Sequence, residues 1–458
     1  MATSANAGRN NGPDENAPLL GRVEEGLRGR RRGEREVSGW RDVLENKLTW
    51  EWYKPVLTSA AVSLLVLNLP YQSHGVRIFG SIIYYFSAII FVLTLLVHII
   101  RFAFRPSLIV NSFTHPDEGL HVSIFPAAVG MLILSGAAYT EHLHKSHDNH
   151  ALRAFFWIYF ALTLIFGIGS PLAQFSKGAR EARERGERDF TAAAVQPILP
   201  FLLAAPVAAT AIEYMTDTNN GYPSHKAIAI LVFGSALHGA GILLSILYLS
   251  NVINRHHYYG LSAPLYRSTI FLAASLPALA SWGSLLLATQ SSRIFHHHPD
   301  TAPPHDPNPG IPPIWGGYPG PNDSNLLNLF TVPPVNPPPH PITPPLHPLL
   351  SPILYLLGVT SSIAFWGLAL WFFILAAAAN LLSLPTLSDK TISVMDVVFG
   401  HAAFFLASTQ LLRVFGLPRA LTVLAEILGV ATVVVWIVVL LVGVFVVVTG
   451  RFRREGRE

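Results

Sequence analysis

Residues 78–100 read IFGSIIYYFSAIIFVLTLLVHII and contain no Lys, Arg, Asp or Glu. A helix of this length rises about 35 Å, enough to cross the roughly 30 Å hydrocarbon core of a bilayer. Apolar segments of similar length follow one another along most of the chain. This succession indicates one membrane domain rather than several soluble domains.

The composition of the 458 residues indicates the same class of protein. Hydrophobic residues make up 51% of the chain and charged residues 13%, whereas a soluble domain carries about 25% charged residues. So few charges cannot cover a surface that faces water. The chain has no cysteine, which excludes disulfides, iron–sulfur clusters and cysteine-ligated zinc.

Hydropathy predicts ten transmembrane helices within a membrane domain over residues 55–449. The fold class is therefore predicted to be all-α and polytopic. Trp50, Trp52 and Tyr53 precede the first span, where an aromatic belt at the membrane interface is expected. The predicted spans lie near residues 55–71, 76–100, 120–140, 154–174, 191–213, 225–250, 266–289, 352–382, 392–412 and 420–449.

The basic residues predict how the chain is oriented in the bilayer. Most of the 31 Lys and Arg residues lie in segments that face the cytoplasm if the N-terminus does. Cytoplasmic loops carry such an excess of Lys and Arg. An even number of spans then predicts that both termini are cytoplasmic. The basic residues that give the net charge of +4 are explained by the orientation of the chain in the bilayer. No nucleic-acid partner is therefore expected.

Three polar segments flank or interrupt the membrane domain. Residues 1–54 form an Arg-rich tail that is predicted to be largely disordered, and residues 450–458 form a short basic tail. Glu15, Leu19 and Leu20 in the first tail fit an acidic dileucine signal for a sorting adaptor; the alternative is an ordinary tail.

The third polar segment, residues 290–350, is a Pro-rich insert on the lumenal or extracellular side. It contains many of the 35 prolines, and proline at this density favours extended rather than helical chain. Asn322 in this insert is a candidate glycosylation acceptor. Most of the 19 histidines also lie on this side, where an acidic lumen would titrate them. We therefore predict a vacuolar or other endomembrane location ahead of the plasma membrane, and no functional metal site.

Helix-breaking residues fall inside alternate spans. Pro126 lies in the third span, Pro197 and Pro200 in the fifth, Pro277 in the seventh and Gly400 in the ninth. A proline frees backbone groups that neighbouring helices or cavity water must satisfy. This alternation suggests that the odd-numbered helices share a pore; kinks that serve packing alone are the alternative. Two further residues are grouped with these as candidates for pore lining or kinking, Phe125 and His401.

Ionisable side chains inside the predicted spans are few. Asp396 and Glu426 are the acidic candidates for proton coupling, and no Lys or Arg lies deep in a predicted span. A carrier that holds a dianion tightly is expected to provide a buried cation. Its absence favours weak, channel-like handling by backbone dipoles and helix termini. No catalytic motif or cofactor fingerprint is present, so neither an enzyme nor a bound cofactor is predicted.

Six short motifs occur along the chain. They are Leu69-Pro70-Tyr71, Thr114-His115-Pro116-Asp117-Glu118, Gln196 to Pro200, Tyr258-Tyr259-Gly260-Leu261, Trp366 to Trp371 and Phe399 to Leu411. In this order and spacing, they resemble motifs of the C4-dicarboxylate transporter/malic acid transport family. That family includes a yeast malate permease, fungal sulfite efflux pumps, plant slow anion channels and a bacterial tellurite-resistance protein. The resemblance covers residues 50–449 apart from the Pro-rich insert.

The resemblance implies five helical hairpins around a central pore, with odd-numbered helices lining it, and a homotrimeric assembly. It also implies that Phe399 is an aromatic gate, since a ring can block ions sterically and by dewetting. The sequence departs from the family pattern in three places: Val394 and Met395 replace a Trp pair, Gly400 replaces a proline, and the first span has Thr58-Ser59-Ala60-Ala61 where a Gly-containing turn is typical. These departures identify a divergent member.

The predicted function is transport of small anions through an aromatic-gated pore, with malate-type C4-dicarboxylates, sulfite and inorganic anions as candidate substrates. A proton-coupled dicarboxylate carrier using Asp396 or Glu426 is the alternative within transport. A membrane scaffold or sorting protein with a degenerate pore is the alternative outside it. Small anions, membrane lipid and two further copies of the chain are the expected partners.

Overall fold

The computed structural model describes residues 48–115, 118–140, 150–175, 192–213, 215, 225–261, 267–295, 350–381, 391–416 and 419–448. Contacts divide the chain into two units, Met1–Leu48 and Thr49–Glu458, and the helices lie in the second unit. Most of the predicted N-terminal tail, nearly all of the Pro-rich insert and the whole C-terminal tail lie outside the described residues.

All regular structure in these described ranges is helical, and ten principal helices follow one another along the chain. They are α1 Lys54–Leu67, α2 His74–Phe104, α3 Ile124–Thr140, α4 His150–Ala173, α5 Leu199–Glu213, α6 His225–Tyr259, α7 Thr269–Phe295, α8 Leu350–Leu381, α9 Thr391–Phe415 and α10 Arg419–Val448. Short helices precede three of them: a 3-10 turn Trp50–Tyr53 before α1, Ser107–Thr114 and Glu118–His121 before α3, and a 3-10 helix Ala192–Ile198 before α5.

Within the part of the chain that the structure describes, nine helices are long and apolar enough to cross a membrane. This number confirms an all-α, polytopic membrane protein. The first helix, α1, has 14 residues and is shorter than these nine. Together with the 3-10 turn Trp50–Tyr53, it rises about 29 Å, close to the thickness of the hydrocarbon core. A tenth crossing by α1 therefore stays a prediction.

The five odd-numbered helices form a closed ring. Contacts run from α1 to α3, α5, α7 and α9 and return from α9 to α1. Each ring helix contacts both of its ring neighbours, and contacts across the ring are sparse among the described residues. Each even-numbered helix packs outside the ring against the odd helix before it and the odd helix after it. This is the five-hairpin arrangement that the resemblance implies.

Burial separates the inner ring from the outer helices. The most apolar window is 100% buried in the α5 and α7 spans, but only 17% buried in α2 and 28% buried in α4 and α8. The outer helices expose large apolar side chains such as Ile82, Leu243 and Ile374. Such an exposed apolar surface is expected of helices that face lipid, where no water penalises it.

Glycines bring the inner and outer helices into close contact. A Cβ placed on Gly283 of α7 would lie 2.8 Å from the Cβ of Ala205 in α5. A Cβ on Gly241 of α6 would lie 3.1 Å from the backbone nitrogen of Leu202. Small residues at helix interfaces let backbones approach in this way. Gly416 serves another purpose. It follows the last residue of α9 and has a φ of 57°, in the left-handed region that favours glycine.

Candidate functional site

The N-terminal ends of the five ring helices lie together at one end of the ring. A helix N-terminus carries a partial positive charge and backbone N–H groups that the helix itself does not satisfy. Five such termini therefore make this end of the ring attractive to anions. Four contacts join them: Trp50 to Phe125 with ring centroids 5.9 Å apart, His121 Nδ1 to Gln196 Oε1 at 2.6 Å, Phe271 to His401 with centroids 4.6 Å apart, and Lys54 Nζ to Asp396 Oδ2 at 3.2 Å.

A buried ion pair connects the starts of α1 and α9. The ammonium group of Lys54 lies 3.2 Å from Oδ2 of Asp396 and 3.0 Å from Oε1 of Glu51. The Lys54 and Asp396 side chains are only 3% and 4% exposed, whereas Glu51 is 26% exposed. Asp396, a candidate for proton coupling, is thus held in a salt bridge that joins two ring helices.

The prediction that no Lys lies deep in the membrane domain needs correction at this pair. Hydropathy placed the first span at 55–71, but helix α1 begins at Lys54, whose side chain turns inward to Asp396. Arg101 is likewise buried, and it belongs to the last turn of α2 instead of a loop. Its guanidinium group lies 2.6 Å from Glu118 at the approach to α3. Both cations are buried because a carboxylate partners them.

The helices α3 and α5 are both irregular at their beginnings. The short helix Glu118–His121 is separated from α3 by Val122 and Ser123, which are not helical. A 3-10 helix, Ala192–Ile198, precedes α5. Pro126 and Pro197 lie at these two irregular segments, where the missing N–H prevents continuous α-helical bonding. Two neighbouring ring helices therefore carry irregular backbone at the same end.

His121 and Gln196 connect these two irregular segments. The 2.6 Å bond from the His121 ring to Oε1 of Gln196 uses the carbonyl end of the carboxamide. Gln196 is completely buried, and its Nε2 atom has no hydrogen-bond partner in the described part of the chain. Neither residue was predicted as a site from the sequence; the signal available was a glutamine in an otherwise apolar span.

The predicted kink residues all lie inside the ring helices. Pro126, Pro197, Pro200 and Pro277 are buried, and each belongs to α3, α5, α7 or the 3-10 helix before α5. Gly400 is where α9 approaches α7 most closely, because a Cβ on it would lie 2.5 Å from the carbonyl oxygen of Phe271. The prolines and the close approach thus belong to the inner ring, and their role in kinking or lining a pore stays a prediction.

Phe399, the candidate gate, lies in the first half of α9, between Asp396 and Gly400. Its side chain is 1% exposed and belongs to the main buried apolar cluster. His401, two residues further on, faces a different neighbour. Its ring lies 4.6 Å from that of Phe271 in α7 and 4.7 Å from that of Phe373 in α8.

Phe125 packs against outer helices. Its ring centroid lies 6.1 Å from that of Phe91 in α2 and 5.3 Å from that of Phe166 in α4. The same aromatic cluster surrounds Trp50 and Tyr53, which are 6% and 0% exposed. These two residues therefore do not form the predicted interface belt. They turn inward because they pack against the surrounding aromatic rings. The indole N–H of Trp50 also donates a hydrogen bond to Oγ of Ser112 at 3.1 Å.

The remaining predicted residues divide into two groups. Glu426 lies on the outer helix α10 and is half-buried, so it is not part of the ring. The others lie outside the described residues: Glu15, Leu19 and Leu20 of the sorting motif, and Asn322 of the glycosylation acceptor.

A ring of five buried helices, surrounded by five helices with apolar outer faces, defines the class of polytopic helical membrane proteins. Between the charged residues at their two ends, the ring helices contain no Lys, Arg, Asp or Glu. Residues 47–444 match the family model described as SLAC1, voltage-dependent anion channel. The chain belongs to this family.

A curated relative agrees with this family. Over 240 residues, the chain is 22% identical to the malic acid transport protein of Schizosaccharomyces pombe (strain 972 / ATCC 24843). The match covers 52% of this chain and 52% of that protein, so the chain spans about half the length of the relative it matches. Membership therefore rests on the family match over residues 47–444 rather than on this single relative.

Proposed function

We propose that this protein passes small anions across a membrane, with malate-type C4-dicarboxylates as the first candidates and sulfite and inorganic anions next. The observation that carries the proposal is the match of residues 47–444 to an anion-channel family. The name of the malic acid transport protein supports dicarboxylates among the candidate substrates. Membership of such a family also accords with a protein that is not an enzyme.

The electrostatics of the ring support anions over cations. Five helix N-termini at one end attract negative charge, and no acidic side chain lies between the two ends of the ring. A path whose buried cations are already paired with carboxylates, as Lys54 and Arg101 are, binds an anion weakly, which permits it to leave as readily as it enters. Passive conduction is therefore the mechanism that we propose. Asp396 acts in it as the ion-pair partner of Lys54 rather than as a proton carrier.

The reversal potential tests the passive mechanism. The protein is placed in a planar bilayer with a gradient of malate and equal cation concentrations on both sides. A passive anion path predicts a reversal potential that follows the malate gradient and does not move when a pH gradient is added. A shift with pH would instead support the proton-coupled carrier, and the absence of protein-dependent current would support the scaffold.

We propose Phe399 as the gate of this path, and a neighbouring phenylalanine provides a matched control. Phe399 and Phe405 are both buried in α9, with 1% and 0% exposure. Phe405 faces the outer helix α10, because a Cβ on Gly429 would lie 2.7 Å from its ring. Phe399→Ala is expected to raise anion conductance about tenfold, equivalent to a barrier lowered by about 1.4 kcal/mol. Phe405→Ala is expected to cost similar stability without raising conductance.

The measurement is anion efflux from liposomes that contain equal amounts of each folded variant. Gel filtration and thermal unfolding confirm that both variants are folded. Equal efflux from the wild type and Phe399→Ala would remove the gate assignment, and a rise shared by both variants would indicate a leak caused by loose packing.

Assembly and location follow from the resemblance and from the tail motif. We propose a homotrimer in a vacuolar or other endomembrane, with both termini cytoplasmic. Native mass spectrometry of the purified protein tests the trimer. A fluorescent fusion with Leu19 and Leu20 changed to Ala tests the sorting motif, because loss of the signal is expected to move the protein to the plasma membrane. An unchanged location would reject this motif.

A further inference from the structure

The inner ring contains a polar pair between two ring helices that the proposed function does not yet use. His121 ends the short helix before α3, and Gln196 lies in the 3-10 helix before α5. The backbone departs from α-helix at both places. Irregular backbone within a membrane protein is tolerated where it is enclosed by protein or lines a cavity. Gln196 is enclosed by protein, and the pair lies between α3 and α5, at the end of the ring where the helix N-termini lie together.

The hydrogen bonds of Gln196 leave one end of its carboxamide unused. Oε1 is the acceptor in the 2.6 Å bond with Nδ1 of His121. Nε2 is buried and has no hydrogen-bond partner among the described residues. A buried donor without a partner costs free energy, and most such donors in proteins are satisfied. An amide NH2 group has two N–H donors and no acceptor, so its natural ligand is an anion or another acceptor.

We propose that Nε2 of Gln196 is a binding site inside the ring for a carboxylate oxygen of the permeating anion, with His121 as the positioning residue. This inference rests on the proposed function and adds a specific anion ligand to it. A neutral donor replaces part of the hydration shell of the anion without the strong attraction of a fixed cation. Such binding is weak enough to permit passage.

His121 determines which end of the carboxamide meets the anion. Its Nδ1–H donates to Oε1 of Gln196, and this bond directs Nε2 away from the imidazole. A bonded carbonyl also polarises the amide and strengthens its N–H donors, because linked hydrogen bonds reinforce one another. Without this bond the carboxamide could rotate and present its oxygen, which would repel a carboxylate.

The test measures malate uptake into liposomes over a range of malate concentrations. Gln196→Leu removes the donor at similar volume and is expected to raise the malate concentration at half-saturation about tenfold, the change produced by losing one hydrogen bond. Gln410→Leu is the matched control: Gln410 is also a buried glutamine on a ring helix, but its unpartnered atom is the acceptor Oε1. This control is expected to leave half-saturation unchanged.

A second variant keeps the proposal testable if Gln196→Leu fails to fold. Gln196→Glu replaces one NH2 group by an oxygen, keeps the shape and can still accept the bond from His121. It is expected to reduce malate uptake further than Gln196→Leu, because a carboxylate now faces the anion. The proposal would be overturned if uptake by Gln196→Leu or Gln196→Glu saturated at the same malate concentration as uptake by the wild type.

The positioning role of His121 has its own readout. His121→Phe is expected to raise the half-saturating malate concentration while leaving the maximal rate unchanged. His121→Asn keeps an N–H donor and is expected to restore half-saturation; failure of this rescue would reject the positioning role. A wild-type protein that moves neither malate nor sulfite nor inorganic anions would reject the proposed function itself. If the wild type moves malate and the Gln196 variants have the same half-saturating malate concentration, only this binding site is rejected.

Discussion

Lys54 and Asp396 show how single residues fix the ring. Their 3.2 Å contact joins the start of α1 to the start of α9, and Asp396 lies one helical turn before Phe399 on the same helix. Both side chains are almost fully buried. Two buried charges tolerate burial only because each partners the other, so removing one leaves an uncompensated charge. The pair thereby joins the segment that carries the proposed gate to the start of α1.

A double-mutant cycle tests this pair. Lys54→Met is expected to lower the free energy of unfolding by about 3–5 kcal/mol, because Asp396 is left as an unpaired buried charge. Asp396→Leu is expected to cost less, because Oε1 of Glu51 still lies 3.0 Å from the Lys54 ammonium. The double variant is expected to lose much less than the sum, because it contains no unpaired buried charge. The stabilities of the wild type, the two single variants and the double variant are measured from their unfolding midpoints in detergent. Losses that simply add would contradict an energetic link between the two residues.

The sequence could not predict this pair, and the reason is physical. Lys54 and Asp396 are separated by 342 positions, so no local pattern connects them. Hydropathy placed the start of the membrane domain at residue 55 because a lysine is costly in lipid when it is alone. Gln196 was also passed over, since its importance lies in one bond to His121 and one unused donor. Only the packed structure shows these partners.

At the scale of helices, the alternation of helix breakers predicted which helices are inside. Pro126, Pro197 and Pro277 all lie on ring helices or at their beginnings. The first helix, α1, has no interior breaker, and its place in the ring became visible only from its contacts. Beyond its last residue, the side chain of Gln72 satisfies carbonyl groups of its last turn and of the residues that follow. Nε2 of Gln72 donates to the carbonyl oxygens of Val66, at 2.9 Å, Leu67, at 3.0 Å, and Leu69, at 2.9 Å.

Two glycines in different environments test how the ring and the outer helices pack. Gly283 of α7 faces Ala205 and His238, and a Cβ there would be 2.8 Å from the Ala205 Cβ. A Cβ added to Gly367 of α8 would meet nothing within 4 Å. Gly283→Ala is expected to cost about 1–3 kcal/mol by overpacking. Gly367→Ala is expected to be neutral or stabilising by about 0.5–1 kcal/mol, because alanine favours helix.

Thermal unfolding of the two alanine variants in the same detergent provides the measurement. The His238 imidazole makes hydrogen-bond contacts with the Leu202 oxygen at 3.0 Å and the Ala280 oxygen at 3.3 Å. A shift of this ring by the new methyl group would weaken both. Equal unfolding temperatures for the two variants would show that α5, α6 and α7 are not packed at this point as described.

At the scale of the whole molecule, two properties belong to the arrangement and not to any one helix. The ring closes only when α9 meets α1, and closure gathers five helix N-termini at one end. The outer helices then present their apolar side chains outward, and the anion path that we propose runs through the ring. Composition and hydropathy predicted the membrane class, and the resemblance predicted the ring. Neither could show which side chains face the proposed path, because the apolar windows of α5 and α7 are 100% buried and hydropathy does not distinguish the residues within them.

The measurement that tests the central claim most directly is chemical block of a single cysteine in the ring. The chain contains no cysteine of its own, so Phe399→Cys and Phe405→Cys each introduce one thiol. An anionic thiol reagent that enters with the permeating anion is expected to abolish malate flux through Phe399→Cys. It is expected to leave Phe405→Cys unaffected, because that position packs towards α10. Flux through Phe399→Cys that is insensitive to the reagent, or equal block of both variants, would contradict an anion path through the ring past Phe399.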